Sequence, residues 1–371
     1  MKRLVLLGGG HAHVEVLRSI ALQPIDGCEV TLVSPLDLQL YSGMVPGHIA
    51  GHYTIDECVI PLPSLSQRAG AAFRRTGAAL VDPERREVTL ADGGSLEYDV
   101  LSIDIGARSL IGDAKGVAQH AVLVRPLEGL LQEWSKVHTR ATRGEVRSIT
   151  LVGGGAAGVE LALAMESRLK AGLGDRAPHV RVVTDSPEPL PELARGARER
   201  AARILASRGI GLHCGHRVRE LDAGSVRLEG GNEFASDATF WSAGAEAPDL
   251  IRDSGFATDA RGYLLTDEML RSVSHPEVFG AGDCATQRGA ERPKAGVFAV
   301  RAGPALAANL RAALSGSALA PHVTAKRYLA LLSTGERYAL GVWNGLSFEG
   351  AWTWRWKDRI DRKFIARYRE L

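Results

Sequence analysis

Apolar residues along this chain fall into short runs broken by turn residues, and helix-like spacing follows some of the breaks. Leu4–Leu7, Glu29–Val33, Val100–Ile105, Ile149–Val152, Val180–Val183 and Ala238–Trp241 are largely apolar and short, the pattern of strands buried on both faces. Two of the runs lead into glycine clusters. Leu4–Leu7 enters Gly8-Gly9-Gly10-His11-Ala12-His13, and Ile149–Val152 enters Gly153-Gly154-Gly155-Ala156-Ala157-Gly158. The period then changes, predicting one helix from His11 to about Leu22 and another opened by Gly153–Gly158 and running to about Leu169.

The order of elements repeats. After each helix come a strand, a hairpin and a closing strand. The first hairpin turns at Asp92-Gly93-Gly94 and its block closes at Gly106; the second turns at Gly230-Gly231-Asn232 and its block closes at Ala243-Gly244. Two blocks with one element order read as a single module used twice. A third stretch, Pro276–Asp283, predicts a short strand ending in Gly280-Ala281-Gly282-Asp283, with a long helix from about Ala295 to Leu314. From His322 the chain becomes aromatic and ends basic.

Composition narrows the function classes. A hydrophobic content of 45% is ample for buried cores, and a net charge of +2 offers no whole-chain case for nucleic acid. Cys28, Cys58, Cys214 and Cys284 are far apart, so neither a redox dithiol nor a metal-ligand spacing appears. Lone cysteines fit a reducing, cytoplasmic setting. No signal peptide or spanning apolar run is evident.

A glycine turn between strand and helix lets backbone approach a diphosphate and aims a helix N-terminus at it. Two such turns imply two dinucleotides, with electrons passing between them. The second turn fits Gly-x-Gly-x-x-Gly through Gly153, Gly155 and Gly158. The strand after it ends in Thr184-Asp185, where Asp185 can accept from ribose hydroxyls; no lysine or arginine follows to meet a 2′-phosphate, which favours NADH over NADPH. The first turn keeps Gly8 and Gly10 but has His13 at the third glycine, and its strand ends in Ser34 where an acid is common, with Asp37 a stand-in. His11 and His13 read as helix-capping or packing residues. Gly282-Asp283 can aim a carboxylate at a polyol such as the ribitol of FAD. The helix N-terminus after Ala295, with Lys294 beside it, would favour the anionic edge of a reduced flavin.

With these parts in order, the chain resembles the two-dinucleotide-binding-domain flavoproteins, the pyridine nucleotide-disulfide oxidoreductase superfamily, and within it the type II NADH dehydrogenases. Val152–Ala162 is similar to their NADH motif, Phe279–Ala285 to their FAD motif, and Pro293–Asn309 to the helix beneath the flavin. The resemblance implies an α/β fold of two Rossmann-type domains, the second inserted in the first. The FAD domain would comprise residues 1–110 and 240–321, the NAD(P)H domain 111–239, and a small α+β tail 322–371. It also implies that Gly8, Gly10, Asp283 and the Tyr41–Pro46 loop hold FAD, with His11, Ala12, Ser34, Gly106, Gly282, Lys294 and Ala295 around it. Gly153, Gly155, Gly158, Glu160, Asp185 and Gly244 would hold NAD(P)H, with Glu160 near the nicotinamide. Disulfide reductases and sulfide:quinone oxidoreductases need paired cysteines that are missing here.

A narrower likeness is to a branch linked or fused to selenophosphate synthetase. Gly8–Val14, Tyr41–Gly47, Ser102–Gly106 and Trp354–Phe364 carry it. It implies that enzyme as a partner and a link to selenium metabolism. The leading expectation is an enzyme taking hydride from NAD(P)H to FAD and passing electrons to a quinone or other small acceptor. The alternatives are a reductase of a selenium or sulfur species, or a flavin-binding redox sensor. In the tail, Arg355, Lys357, Arg359, Arg362, Lys363, Arg367 and Arg369 outnumber Asp358, Asp361 and Glu370, and Trp356, Ile360, Phe364 and Tyr368 recur at four-residue steps. That face either packs on protein or lies peripherally in a membrane interface.

Overall fold

The computed structural model describes residues 1–324 and 327–371. The expected tail begins at His322, and its residues 325 and 326 lie outside the described ones. Four helices frame the site: α1 (His11–Leu22), α2 (Ala156–Leu173), α3 (Gly296–Ser315) and α4 (Ala351–Arg369).

The first sheet is parallel, in the order Val278–Gly280, Val100–Ile103, Lys2–Leu7, Cys28–Val33, Ala72–Arg74. Its central strand is apolar throughout because both faces are covered. Leu4 and Leu6 enter a core shared with α1 and α3, while Val5 and Leu7 enter a second core with Val81, Val88, Tyr98 and Phe256. The second sheet repeats the plan in the order Ala121–Leu123, Ala238–Trp241, Ser148–Val152, His179–Val183, Gly211–His213, again all parallel. In both sheets the strand feeding the glycine turn is central, flanked by the closing strand and the strand after the helix. The fold is thus the expected α/β architecture with two Rossmann-type units.

The junction differs from expectation. A boundary between residues 239 and 240 would cut the strand Ala238–Trp241, which pairs along its whole length inside the second sheet. The chain returns to the first unit after Trp241, through an antiparallel pairing of Arg108–Ser109 with Ala245–Glu246.

The tail forms an antiparallel meander, Ala330–Ser333, Ala339–Trp343 and Leu346–Gly350, followed by α4. The face expected of α4 is split. Phe364 (8% exposed) and Tyr368 (2%) are inside, but Trp356 (41%) and Ile360 (40%) are outside. A four-residue step overshoots one turn, so a row of such steps drifts by about 120° between Trp356 and Tyr368. The buried face is instead Thr353, Lys357, Asp361, Phe364, Ile365 and Tyr368. It packs on the first unit, where the Tyr368 hydroxyl donates to Glu15 Oε2 of α1 (2.9 Å).

Candidate functional site

Gly8 adopts φ +90°, and a Cβ there would overlap the carbonyl of Asp104. A Cβ on Gly10 would overlap the Asp104 carboxylate, and so would one on Gly282 (φ +74°). Asp104, at the end of the closing strand, therefore sits where three segments converge. Its Oδ2 accepts from the amides of Ala12 (2.8 Å) and His13 (3.1 Å), the first turn of α1. Burial, with Asp283 nearby, pushes its carboxyl up to about 7 against the two amide bonds. Among the described residues the Gly9 and Gly10 amides have no acceptor. Sequence reading had Asp104 only as part of a resembling segment; a buried acid ending a strand in Asp-Ile-Gly was the available signal.

His13 fills the space of the missing glycine. Its Nδ1 lies 2.6 Å from the Gly8 carbonyl and its Nε2 2.8 Å from Ser102 Oγ. A carbonyl only accepts, so Nδ1 carries the hydrogen and Nε2 accepts from the serine. Burial lowers the ring to about 4, leaving it neutral near pH 7. The ring ties helix to strands, a packing role. His11, also lowered to about 4 by burial, has Nδ1 3.3 Å from Gln39 Nε2, while its buried Nε2 has no partner among the described residues. Ser34 closes a turn, donating to the Leu36 carbonyl (2.8 Å), and Asp37 pairs with Arg75. Ser34 is thus engaged within its own turn, while the Asp37 carboxylate stays partly exposed beside Arg75.

Asp283 has a cationic partner on one of its two oxygens. Arg125 Nη2 reaches its Oδ2 at 3.2 Å and the Lys294 carbonyl at 3.2 Å. Burial raises the Asp283 pKa, opposed by Arg125 and Lys294. The Lys294 ammonium donates to the Ala285 carbonyl (2.6 Å) and Thr286 Oγ1 (2.9 Å) and lies 3.8 Å from the Tyr263 ring centroid. Its charge anchors this loop. Ala295 is the N-cap of α3, and a Cβ on the next residue, Gly296, would press on Ser42 Oγ. Gly106, at φ +72°, has open space where a Cβ would project.

The second turn has the same construction. A Cβ on Gly153 (φ +119°) would meet the Ser242 backbone, and one on Gly158 would overlap the Gly153 carbonyl. Gly155 is the N-cap of α2. Asp185 is exposed at the strand end, and Thr184 accepts from the Ser186 amide. Gly244 turns the chain at φ +85°. Glu192 Oε1 accepts from the Ala156 amide at 3.0 Å, an exposed cap on α2 that the sequence reading missed.

Glu160 points away from the turn toward the tail. Its Oε1 accepts from the Ser333 amide (2.6 Å), and burial pushes it up to about 7 against the charge of Lys357 and that bond. Lys357 donates to Asp361 Oδ2 (2.6 Å) and to the Gly43 carbonyl within the Tyr41–Pro46 loop. Tyr41 stacks on Phe364 (4.3 Å) near Asp361, while Pro46 is buried in the short helix Val45–Ile49. Lys357, Asp361 and Arg125 are functional candidates that the motifs did not single out.

The residues fit two dinucleotides. Each glycine cradle would be blocked by a Cβ, and each leaves amides without an acceptor among the described residues. The orphaned His11 nitrogen beside the first cradle is a further polar atom awaiting a partner. Such a pair of sites defines a pyridine-nucleotide oxidoreductase, with cofactors FAD and NAD(P)H. The family model described as pyridine nucleotide-disulphide oxidoreductase matches residues 2–303, and the chain belongs to that family. An NADH dehydrogenase-like protein of Mycobacterium tuberculosis is 28% identical over 300 residues, 78% of this chain and 74% of that one. Demethylphylloquinone reductase NdbB of Synechocystis is 27% identical over 355 residues, 92% of this chain and 85% of the relative. The fold is similar to that of NDH2 from Plasmodium falciparum in complex with NADH (TM-score 0.83, 14% identity, 100% and 98% covered). It is equally similar to sulfide:quinone oxidoreductase from Aquifex aeolicus (TM-score 0.83, 18% identity, 100% and 92% covered). The disulphide half of the family name has no dithiol here: all four cysteines are free, and burial pushes Cys58 and Cys284 up to about 12.

Proposed function

We propose that this flavoprotein oxidises NADH and reduces a quinone, and that the acceptor approaches where Glu160, Lys357, Asp361 and Tyr41 meet. The observation carrying this is the polar cluster in which Lys357 of α4 bonds Asp361 and the Tyr41–Pro46 loop while its charge acts on Glu160 of α2, itself bonded to Ser333. FAD, when bound, accepts a hydride from the nicotinamide and passes the electrons on. The chain's own work is alignment and proton supply. Gly8, Gly10, Gly282 and the N-terminus of α3 would hold FAD; Gly153, Gly155, Gly158 and Gly244 would hold NADH. Arg125 fixes Asp283 for a polyol. Reducing a quinone to a quinol consumes protons, and Glu160, with its carboxyl near 7, holds one at neutral pH. Asp185, exposed with no base beside it in Thr184–Glu188, supports NADH over NADPH.

Peripheral membrane contact belongs to the same reading. No helix among the described residues is long and apolar enough to cross a membrane. Yet Trp352, Trp356 and Ile360 line the exposed side of α4, Phe348 stacks on both tryptophans, and Trp343 and Leu346 are exposed at the neighbouring hairpin tip. Exposed Arg355, Arg359 and Lys363 flank them, an arrangement suited to anionic headgroups around a shallow apolar wedge. A steady-state assay with water-soluble quinones tests the function: turnover should exceed that with disulfides and be faster with NADH than with NADPH. Absence of quinone turnover with either nucleotide would refute it.

A second reading keeps selenophosphate synthetase as a partner. The four segments carrying that likeness converge: Lys357 on Gly43, Asp104 on Ala12, Phe364 on Tyr41 and beside His11. Co-purified synthetase whose activity is unchanged by this protein and NADH would rule it out.

A further inference from the structure

Asp104 presents a conflict of charge. Its carboxyl occupies the N-terminus of α1, the same end to which the Gly8-Gly9-Gly10 turn recruits a dinucleotide diphosphate. Two anions thus address one helix end. Among the described residues no lysine or arginine forms an ion pair with Asp104; the cations beside its neighbour Asp283, Arg125 and Lys294, are engaged with Asp283, the Lys294 carbonyl, Ala285 and Thr286. The residue is only 3% exposed, so water does little to screen the repulsion. Nor is the placement accidental. Gly10 and Gly282 both leave room for this carboxylate, and a Cβ at either would overlap it. Oδ2 has two amide partners, whereas Oδ1 has none among the described residues.

We propose that Asp104 holds FAD as a neutral acid: Oδ2 keeps the two α1 amides while Oδ1–H donates to an oxygen of the cofactor diphosphate, so that FAD and one proton bind together. The proton comes from solvent and returns to it on release. Asp104 is then a positioning residue of the FAD site, and cofactor retention weakens with rising pH. The inference rests on the first glycine turn being the FAD site.

The other groups facing Asp104 do not supply this dependence. From α1, His11 and His13 are held neutral, near 4, by burial. From the Gly282–Cys284 segment, the Cys284 thiol is pushed up to about 12, and Asp283 is tied to Arg125. Asp104 itself is poised near neutrality by burial and by Asp283.

The test is FAD release from the purified holoprotein, read as flavin fluorescence on serial dilution between about pH 6 and about pH 9. The wild-type dissociation constant should rise toward tenfold per pH unit above neutrality, the slope of one coupled proton. Asp104→Asn, whose amide donates without titrating, should release FAD with a constant flat across that range and bind more tightly than wild type at the alkaline end. Three results would overturn the proposal: a flat wild-type curve, an unchanged slope in D104N, or a dissociation constant set by added divalent cation instead of pH. Because the wild-type slope stands alone, a variant that fails to fold leaves the test intact. A protein carrying no flavin at any pH would instead overturn the cofactor assignment.

Discussion

Single residues carry the sharpest constraints. Gly282 combines φ +74° with a Cβ position inside the Asp104 carboxylate. Gly282→Ala should cost about 1–2 kcal/mol of folding stability from the left-handed backbone alone and should also expel FAD, seen as colourless folded protein with an intact circular dichroism spectrum. A yellow, stoichiometric G282A protein would contradict this geometry. Glu160→Gln separates the two half-reactions: flavin reduction by NADH should keep its rate, while quinone reduction falls by about 10²-fold and loses its decline above pH 7. Equal loss in both halves would place Glu160 at the nicotinamide, as its motif implies. Stability should also follow pH. Asp104 and Glu160 both sit near 7 when folded, above the ordinary 3.8 and 4.5. Their contribution is complete below the unfolded values and is lost as pH rises through 7, at up to about 1.4 kcal/mol per unit and group. Thermal melts from pH 5 to 8.5 should show this fall, flattened in a D104N/E160Q protein; melting temperatures that rise over that range would contradict it. None of these environments was legible in sequence, because each depends on partners far along the chain: Asp104 on Ala12, Glu160 on Ser333, Asp283 on Arg125.

Among elements, α1 was legible to its ends, His11 to Leu22, because a glycine turn starts it and its apolar stripe is regular. Helix α4 was legible as a helix but not in its facing. The four-residue row caught the eye, while the buried side turned out to carry an ion pair, Lys357–Asp361, that composition assigns to solvent. Breaking a buried pair by losing one partner leaves an unmatched charge. Lys357→Met should therefore destabilise by about 3–5 kcal/mol, with K357M/D361L recovering much of the loss in denaturant melts. If the single and double variants melt alike, the pair is not coupled. On the opposite side, Trp356→Ser with Ile360→Ser should abolish co-sedimentation with anionic vesicles while leaving the fold intact; undiminished binding would leave α4 a packing element only.

At the scale of the whole molecule, repetition made the plan legible. Two strand–glycine–helix units with the same element order predicted two parallel sheets, and both place the glycine-feeding strand at the centre. The insertion point was less clear, since the strand Ala238–Trp241 closes one unit just before the chain returns to the other. The tail's contribution was least legible: its aromatics marked it as distinct, but only the fold brings Lys357 to the Tyr41–Pro46 loop. That contact sets the tail against the Tyr41–Pro46 loop, where the proposed acceptor site lies. The central claim is that the two cradles hold a flavin and a nicotinamide in electron contact. Anaerobic titration of the purified yellow protein with NADH tests it most directly. Stoichiometric bleaching of the flavin's visible band, reversed on adding a quinone, is the expected result; a band that stays oxidised with both NADH and NADPH would contradict it.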